Sequence, residues 1–117
     1  MKIAISLNEV SGDAHIAEFF GRGEAFLLFN TRSNLKEFIS NPYARSVGGA
    51  GIETAKLLIE KGINALIVNK IGMNAYVMLS SADVKIYISE CVEYEKAIEL
   101  FIEKKLHEAH LDYIKTK

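Results

Sequence analysis

Cysteine is nearly absent from this sequence, which contains one cysteine in 117 residues. A single thiol cannot form a disulfide within the chain, and it cannot supply the four cysteine ligands of a zinc or iron–sulfur site. Chains without disulfides are typical of reducing compartments. We therefore predict that the protein resides in the cytoplasm.

The sequence also lacks an excess of charge of either sign and any long apolar run. Fourteen Lys and Arg residues balance fifteen Asp and Glu residues, and the formal net charge is −1. This balance gives no attraction to phosphate backbones or to anionic lipids. No stretch approaches the ~20 apolar residues of a membrane helix, and the first residues turn polar too early for a signal peptide. We predict a soluble protein with neither a nucleic-acid nor a membrane partner.

What the sequence does contain is enough apolar material for one core. Half of its residues are hydrophobic, and its length suits one domain, since most domains have ~100–150 residues. Neither a linker, an internal repeat nor a low-complexity segment interrupts the chain. We predict one domain over residues 1–117, with a C-terminal helix or tail over residues 106–117.

The apolar pattern switches repeatedly between strand and helix periods. Strands are predicted where polarity alternates or short apolar runs occur, and helices where apolar residues recur every three or four positions. A short helical turn is predicted for residues 14–20. The strands are predicted at residues 2–7, 25–29, 35–39, 65–68 and 84–88, and the helices at residues 50–61, 72–82 and 94–102.

This order of elements predicts a mixed sheet. Strand–helix–strand units in the second half require parallel pairing with right-handed crossovers, whereas the tight turn at residues 30–34 requires an antiparallel hairpin. We predict five strands in the order 3-2-1-4-5, with strand 2 antiparallel and helices on both faces. Such a domain is a three-layer α/β/α fold like that of ribonuclease H.

Three segments are predicted to meet at the carboxyl ends of the parallel strands, where open α/β sheets bind ligands. They are residues 8–13, with Asn8 and Ser11; residues 46–51, which end in the turn Gly49-Ala50-Gly51; and residues 69–74, with Gly72 and Asn74. Glycines let a ligand approach the backbone, and helix N-termini attract anions. Alternatively, these glycines only make tight turns into helices. The segments contain neither a Walker loop nor a dinucleotide fingerprint, so no nucleotide cofactor is predicted.

Several reactive side chains lie outside the glycine-rich segments. Arg22 could hold an anion with two parallel hydrogen bonds, or pair with a surface carboxylate. His15 could be a metal ligand or an acid–base group, or an ordinary exposed side chain. Cys91, near the N-terminus of the last helix, could be a thiolate but is expected to be a small buried hydrophobe. His107 and His110 could bind a metal with a third ligand but are expected to be solvated on one helix face. No catalytic triad, Cys-His pair or carboxylate pair stands out, so we predict that the protein is not an enzyme.

Taken together, three segments resemble a known family. They are Glu18-Phe19-Phe20-Gly21-Arg22 before an apolar strand, Gly48-Gly49-Ala50-Gly51-Ile52-Glu53-Thr54-Ala55, and Ile71-Gly72-Met73-Asn74-Ala75-Tyr76. In this order and spacing they are similar to the dinitrogenase iron–molybdenum cofactor biosynthesis family, which includes small NifX-like proteins and the C-terminal domain of NifB. The resemblance covers residues 1–105 and implies a ribonuclease H-like fold. Many members carry histidine where this chain has Phe19 and Gly48.

The resemblance implies a non-catalytic carrier, which binds an anionic iron–sulfur or iron–molybdenum cluster as cargo and passes it on. Its partners would be the proteins that donate and accept the cluster. Gly21, Arg22, the 49–51 turn, Gly72 and Asn74 match the family, with His15 as a replacement metal ligand. The alternative is a small-anion or nucleotide-binding module of the same fold that has lost cluster binding. A monomer and a homodimer paired at the 84–88 strand are both consistent with the sequence.

Overall fold

The computed structural model describes residues 1–111 and residue 114. Within these residues it contains six strands, three α-helices and one turn of 3-10 helix, Phe20–Arg22. The strands are β1 (Lys2–Leu7), β2 (Ala25–Asn30), β3 (Lys36–Ser40), β4 (Ala65–Val68), β5 (Lys85–Ile88) and β6 (His107–Glu108). The helices are α1 (Ala50–Glu60), α2 (Met73–Ser81) and α3 (Tyr94–Ile102). No helix in the described ranges has the length and apolar character needed to cross a membrane.

The described strands form one mixed sheet in the order β3-β2-β1-β4-β5-β6. β1 pairs antiparallel with β2 and parallel with β4, and β4 pairs parallel with β5. β2 and β3 are antiparallel, as the short turn between them requires. The predicted order of the first five strands and the antiparallel direction of strand 2 are therefore confirmed.

Both faces of the central strands are covered. Every residue of β4 is buried, as its wholly apolar sequence predicts. In β1, Ala4 belongs to a core cluster with residues of α1 and α2, whereas Ile3 and Ile5 belong to a second cluster with residues of α3. Neighbouring residues of a strand point to opposite faces. Thus α1 and α2 pack on one face of the sheet and α3 packs on the other.

The prediction of five strands is wrong. Where a C-terminal helix or tail is predicted, His107 and Glu108 pair antiparallel with β5, and the Ala109 N–H donates to the Ile86 carbonyl at 2.7 Å. β6 therefore covers the edge of β5 at which a homodimer, one of the two alternatives left open by the sequence, would pair. His107 and His110 do not share a helix face, because His107 lies in this strand. Residues 112, 113 and 115–117 of the predicted tail lie outside the described residues.

The turn after α3 explains why the sequence does not reveal β6. Lys104 has a φ of +60°, in the left-handed region where glycine is usual at helix ends. The Lys105 N–H donates to the Leu100 carbonyl at 2.9 Å, which closes the helix end and turns the chain back toward the sheet. Because lysine rather than glycine has this conformation, the sequence contains no glycine to mark the turn.

The segment before the 3-10 turn is also not the predicted helical turn. Isolated bridges join Ile16 to Leu7 and His15 to Glu93, so the chain is extended at these residues. Ala14 and Ile16 are buried while His15 between them is exposed. This alternation is the period-2 pattern of an extended chain, which is too short here to be distinguished from a helical turn by sequence.

Candidate functional site

Two adjoining pockets open where β4 ends and where α1 and α2 begin. The first has a volume of about 610 Å³ and includes residues 69–73 in its wall. The second, of about 320 Å³, is lined by the first residues of α1 and α2. Both pockets are lined by Phe20, Gly21, Gly72 and Met73, so they are two parts of one cleft. We call this cleft the candidate site.

The N-termini of α1 and α2 supply N–H donors beside the cleft. Gly49 precedes α1 and Gly72 precedes α2, and no side chain in the described part of the chain caps either helix. The first N–H groups of an α-helix have no partner within the helix and carry a partial positive charge. Gly51 and Asn74, in the first turns of the two helices, line the smaller pocket. This arrangement favours the binding of an anion.

Glycines allow these elements to come close together. A Cβ atom at Gly21 would lie 2.9 Å from the Gly51 nitrogen, so the 3-10 turn contacts α1 through backbone atoms. A Cβ atom at Gly51 would lie 3.6 Å from the Ala75 Cβ, so α1 and α2 begin next to each other. Gly49 has a φ of +69°, which other residues rarely adopt. The glycine-rich sequence therefore makes the tight turn into α1 and also leaves the backbone accessible.

Residues 18–20 close one side of the cleft by pairing with Lys70. The Phe20 N–H donates to the Lys70 carbonyl at 2.9 Å, and the Lys70 N–H donates to the Glu18 carbonyl at 3.0 Å. Phe20 is buried and packs against Phe26 of β2, with ring centroids 5.8 Å apart. These contacts fix the backbone of Lys70 at the wall of the cleft.

Lys70 is a site residue that the sequence prediction omits. Among the described residues that line the two pockets, it alone has a charged side chain. Its Nζ lies 3.2 Å from Glu18 Oε2 and 5.2 Å from the centroid of the Phe19 ring, which is half exposed. The sequence does hold a signal for Lys70, since it is the only basic residue in segments 8–13, 46–51 and 69–74.

Arg22 contacts the loop before α1 rather than lining either pocket. Its Nη1 donates to the carbonyl oxygens of Ala44 and Ser46, at 3.2 and 2.6 Å. These hydrogen bonds join the 3-10 turn to the loop that leads to Gly49. Arg22 therefore positions the start of α1 in this structure.

Asn8, Ser11 and His15 lie in the loop after β1, which is closed by its own hydrogen bonds. Asn8 Oδ1 accepts a hydrogen bond from the His15 N–H at 3.0 Å, and Ser11 Oγ accepts one from the Asp13 N–H at 2.9 Å. His15 also bridges to Glu93, directly before α3. None of the three predicted residues lines either pocket of the cleft.

Of the predicted ligand-binding residues, the structure therefore brings four together. Gly49, Gly51, Gly72 and Asn74 line the smaller pocket. Ala50, between the first two, is buried. The remaining residues lie in the loop after β1 or in the 3-10 turn.

Cys91 is exposed, so the prediction of a buried cysteine is wrong. Asn69 Nδ2 donates to Cys91 Sγ at 3.0 Å, and Asn69 lines the larger pocket. The physical reason is position: Cys91 lies in the loop between β5 and α3, and such connecting loops run over the surface.

The lining of the cleft suits a compact anion with some apolar surface. It combines backbone N–H groups and one ammonium group with the side chains of Phe19, Ile71 and Met73. Within residues 1–111 and 114, no three His, Cys, Asp or Glu side chains lie close enough together to hold a metal ion.

The fold and the cleft define a small α/β domain whose candidate site lies between two helix N-termini. The chain belongs to the dinitrogenase iron–molybdenum cofactor family, whose model matches residues 1–104. This match confirms the resemblance found in the three sequence segments.

Individual relatives span nearly the whole chain. An uncharacterized protein of Methanocaldococcus jannaschii is 31% identical over 109 residues, which cover 91% of this chain and 89% of that protein. The NMR structure of a Thermotoga protein, described as a candidate NifB protein of the DUF35 family, is 31% identical, with a TM-score of 0.80 and coverage of 92% and 91%. The apo form of the orange protein from Desulfovibrio gigas has a TM-score of 0.86 and covers 92% of both chains. Its identity is 24%, so this likeness concerns the fold alone.

Proposed function

We propose that this protein is a non-catalytic carrier of an anionic iron–sulfur or iron–molybdenum cluster, which binds in the cleft. The observation that carries the proposal is the meeting of two uncapped helix N-termini at one cleft, in a chain of the dinitrogenase iron–molybdenum cofactor family. The sulfur atoms of such clusters accept hydrogen bonds, and backbone N–H groups are donors that suit them. Lys70, which lines the same cleft, adds an ammonium group that forms an ion pair with Glu18.

The cluster is cargo in this proposal and is held reversibly. Backbone N–H groups and one ammonium group form hydrogen bonds with net energies of ~1–3 kcal/mol each, so the cluster can be released without breaking metal–protein bonds. His15, expected as a replacement ligand, is bonded within the loop after β1 and is not needed.

The partners and the setting follow from the carrier function. The protein acts between those that donate and accept the cluster, and it acts in the cytoplasm, where its single cysteine stays reduced. We propose neither a nucleic-acid nor a membrane partner, because the positive and negative charges of the protein nearly balance. A monomer and a homodimer both satisfy this proposal. We also propose the three-layer, ribonuclease H-like description of the fold, which the two core clusters on opposite faces of the sheet support.

Filling the cleft tests the proposed site. Gly72 lines both pockets, has an ordinary φ of −78°, and a Cβ atom there would meet no atom within 4 Å. The substitution Gly72→Leu should therefore fill the cleft without disturbing the fold. Gly12→Leu is the matched control, because Gly12 has equally open surroundings but lies in the loop after β1.

The measurement is cluster uptake by protein purified without oxygen and incubated with a four-iron four-sulfur cluster. Native mass spectrometry counts the clusters, and visible absorbance checks that they are intact. We expect wild type and Gly12→Leu to gain one cluster per chain or per dimer, and Gly72→Leu to bind at least ~10-fold more weakly. Equal cluster uptake by the two variants, at equal melting temperatures, would show that the cleft is not the cluster-binding site.

A second function, a small-anion or nucleotide-binding module, has one observation in its favour. The uncapped N-termini of α1 and α2 at the cleft are suited to any compact anion, with or without a metal. Binding by such a module is colourless and independent of metal. A wild-type protein that takes up no cluster, yet gains mass with inorganic phosphate or a nucleotide, would favour this second function.

A further inference from the structure

We propose that Lys70 selects ligands by charge, and that Glu18 is an internal competitor which the ligand displaces from Lys70. On binding, the negative charge of the ligand replaces the Glu18 carboxylate at Lys70 Nζ. This inference rests on the proposed function, since it describes how the same cleft recognises anionic cargo.

Lys70 has a fixed backbone and a movable side chain. Its N–H and carbonyl groups are both bonded to segment 18–20. Its side chain is 52% exposed and that of Glu18 is 58% exposed, so water competes for their ion pair. Ion pairs with this exposure contribute little to stability. A ligand anion can therefore displace the Glu18 carboxylate at little cost.

The ion pair also neutralises the charge of Lys70 until an anion binds. Lys70 is the one charged residue among the described lining residues, and Glu18 Oε2, 3.2 Å from its Nζ, balances that charge. The Phe19 ring lies 5.2 Å from the same Nζ and holds the ammonium group near the wall by a cation–π interaction. When an anion binds, Glu18 turns to solvent and the full charge of Lys70 is directed to the ligand.

The two members of the ion pair should consequently have opposite effects on binding. Lys70→Gln removes the cation and leaves Glu18 to repel the ligand, so we expect the Kd to rise ~10-fold. Glu18→Gln removes the competitor, so we expect the Kd to fall ~3-fold. If the ion pair only fastened segment 18–20 to the sheet, both substitutions would weaken binding.

The experiment titrates the full chain with a synthetic four-iron four-sulfur cluster that carries thiolate ligands, followed by visible absorbance. Lys96→Gln and Glu99→Gln are matched controls, because Lys96 and Glu99 form an exposed ion pair at 3.7 Å on α3, which packs on the other face of the sheet. They change the net charge of the protein by the same amounts. Distant charges are screened over ~10 Å at 0.1 M salt, so the control Kd values should stay within ~2-fold of wild type.

Opposite shifts of the Kd at Lys70 and Glu18, without such shifts in the controls, support the inference. Weaker binding in both site variants, or equal shifts in the controls, overturns it and leaves the proposed carrier function standing. A wild-type protein that binds no cluster overturns the carrier function and this inference together. The melting temperature of each variant verifies that it is folded.

Discussion

The loop after β1 and the glycine-rich segments before α1 and α2 differ in where their hydrogen bonds go. Polar side chains fill the loop, and those of Asn8 and Ser11 accept hydrogen bonds from N–H groups of the loop itself. The segments at Gly49 and Gly72 also carry polar side chains, such as Lys70 and Asn74, but their helices begin without a side-chain cap from the described residues. The sequence predicts that both regions share one site, but only the glycine-rich segments line the cleft.

Polar composition alone therefore does not mark a binding site. A polar side chain that satisfies its own loop has little left to offer a ligand. Backbone N–H groups at an uncapped helix start still require a partner, which is water or an anion. The hydrogen bonds of residues 8–15 therefore close their own loop, which supports our proposal that ligands bind at the segments before α1 and α2.

The largest effect on stability is expected where the glycine-rich segments are most crowded. A Cβ atom at Gly21 would lie 2.9 Å from the Gly51 nitrogen, so Gly21→Ala must push the 3-10 turn away from α1. We expect this substitution to lower the free energy of unfolding by ~2 kcal/mol. Gly12→Ala in the loop after β1, where no atom lies within 4 Å, should change it by less than ~0.5 kcal/mol. Denaturation in urea measures both, and equal stabilities would contradict the close approach.

A smaller effect on stability is expected at Arg22, which joins the 3-10 turn to the loop before α1. Arg22→Ala removes the hydrogen bonds to the Ala44 and Ser46 carbonyl oxygens, and we expect a loss of ~1 kcal/mol in the free energy of unfolding. Faster proteolysis of residues 41–49 should accompany it. Arg32→Ala, in the exposed turn after β2, is the control. If cluster binding disappears while stability is unchanged, Arg22 is a ligand-binding residue, as the sequence predicts.

The smallest effect is expected at His15. His15→Ala removes one contact, between the ring Nδ1 and the Asp13 carbonyl at 3.1 Å, from an exposed loop. We expect the visible spectrum and the stoichiometry of the bound cluster to be unchanged, and stability to stay within ~0.5 kcal/mol. The Lys70→Gln variant, measured in the same titration, is the positive control for weakened cluster binding. An altered spectrum in His15→Ala would place the loop after β1 in the site.

The central strands of the sheet can be predicted from the sequence, whereas the edge strand β6 cannot. Residues 65–68 read as a strand buried on both faces because burial leaves no polar position, and β4 is such a strand. β6 has two residues, and the turn that leads to it depends on the left-handed conformation of Lys104. Short strands and turns without glycine leave no periodic signal, since tertiary pairing rather than local preference forms them.

The same distinction applies to the site. The glycines that surround the cleft are recognisable, because turns and helix starts demand them locally. Lys70 is recognisable as a contact of Glu18 only in the folded chain, since 52 residues separate them. The hydrogen bond of Cys91 with Asn69 and the bridge of His15 to Glu93 likewise join residues that are far apart in the sequence, so no local pattern contains them.

The most direct test of the cleft is the position of bound iron. Crystals of the protein loaded with a four-iron four-sulfur cluster would give the iron positions by anomalous scattering. We predict a peak in the cleft between Gly51 and Gly72, within reach of the Lys70 ammonium group. A peak beside His15, in the loop after β1, would contradict the assignment and return the site to the polar loop.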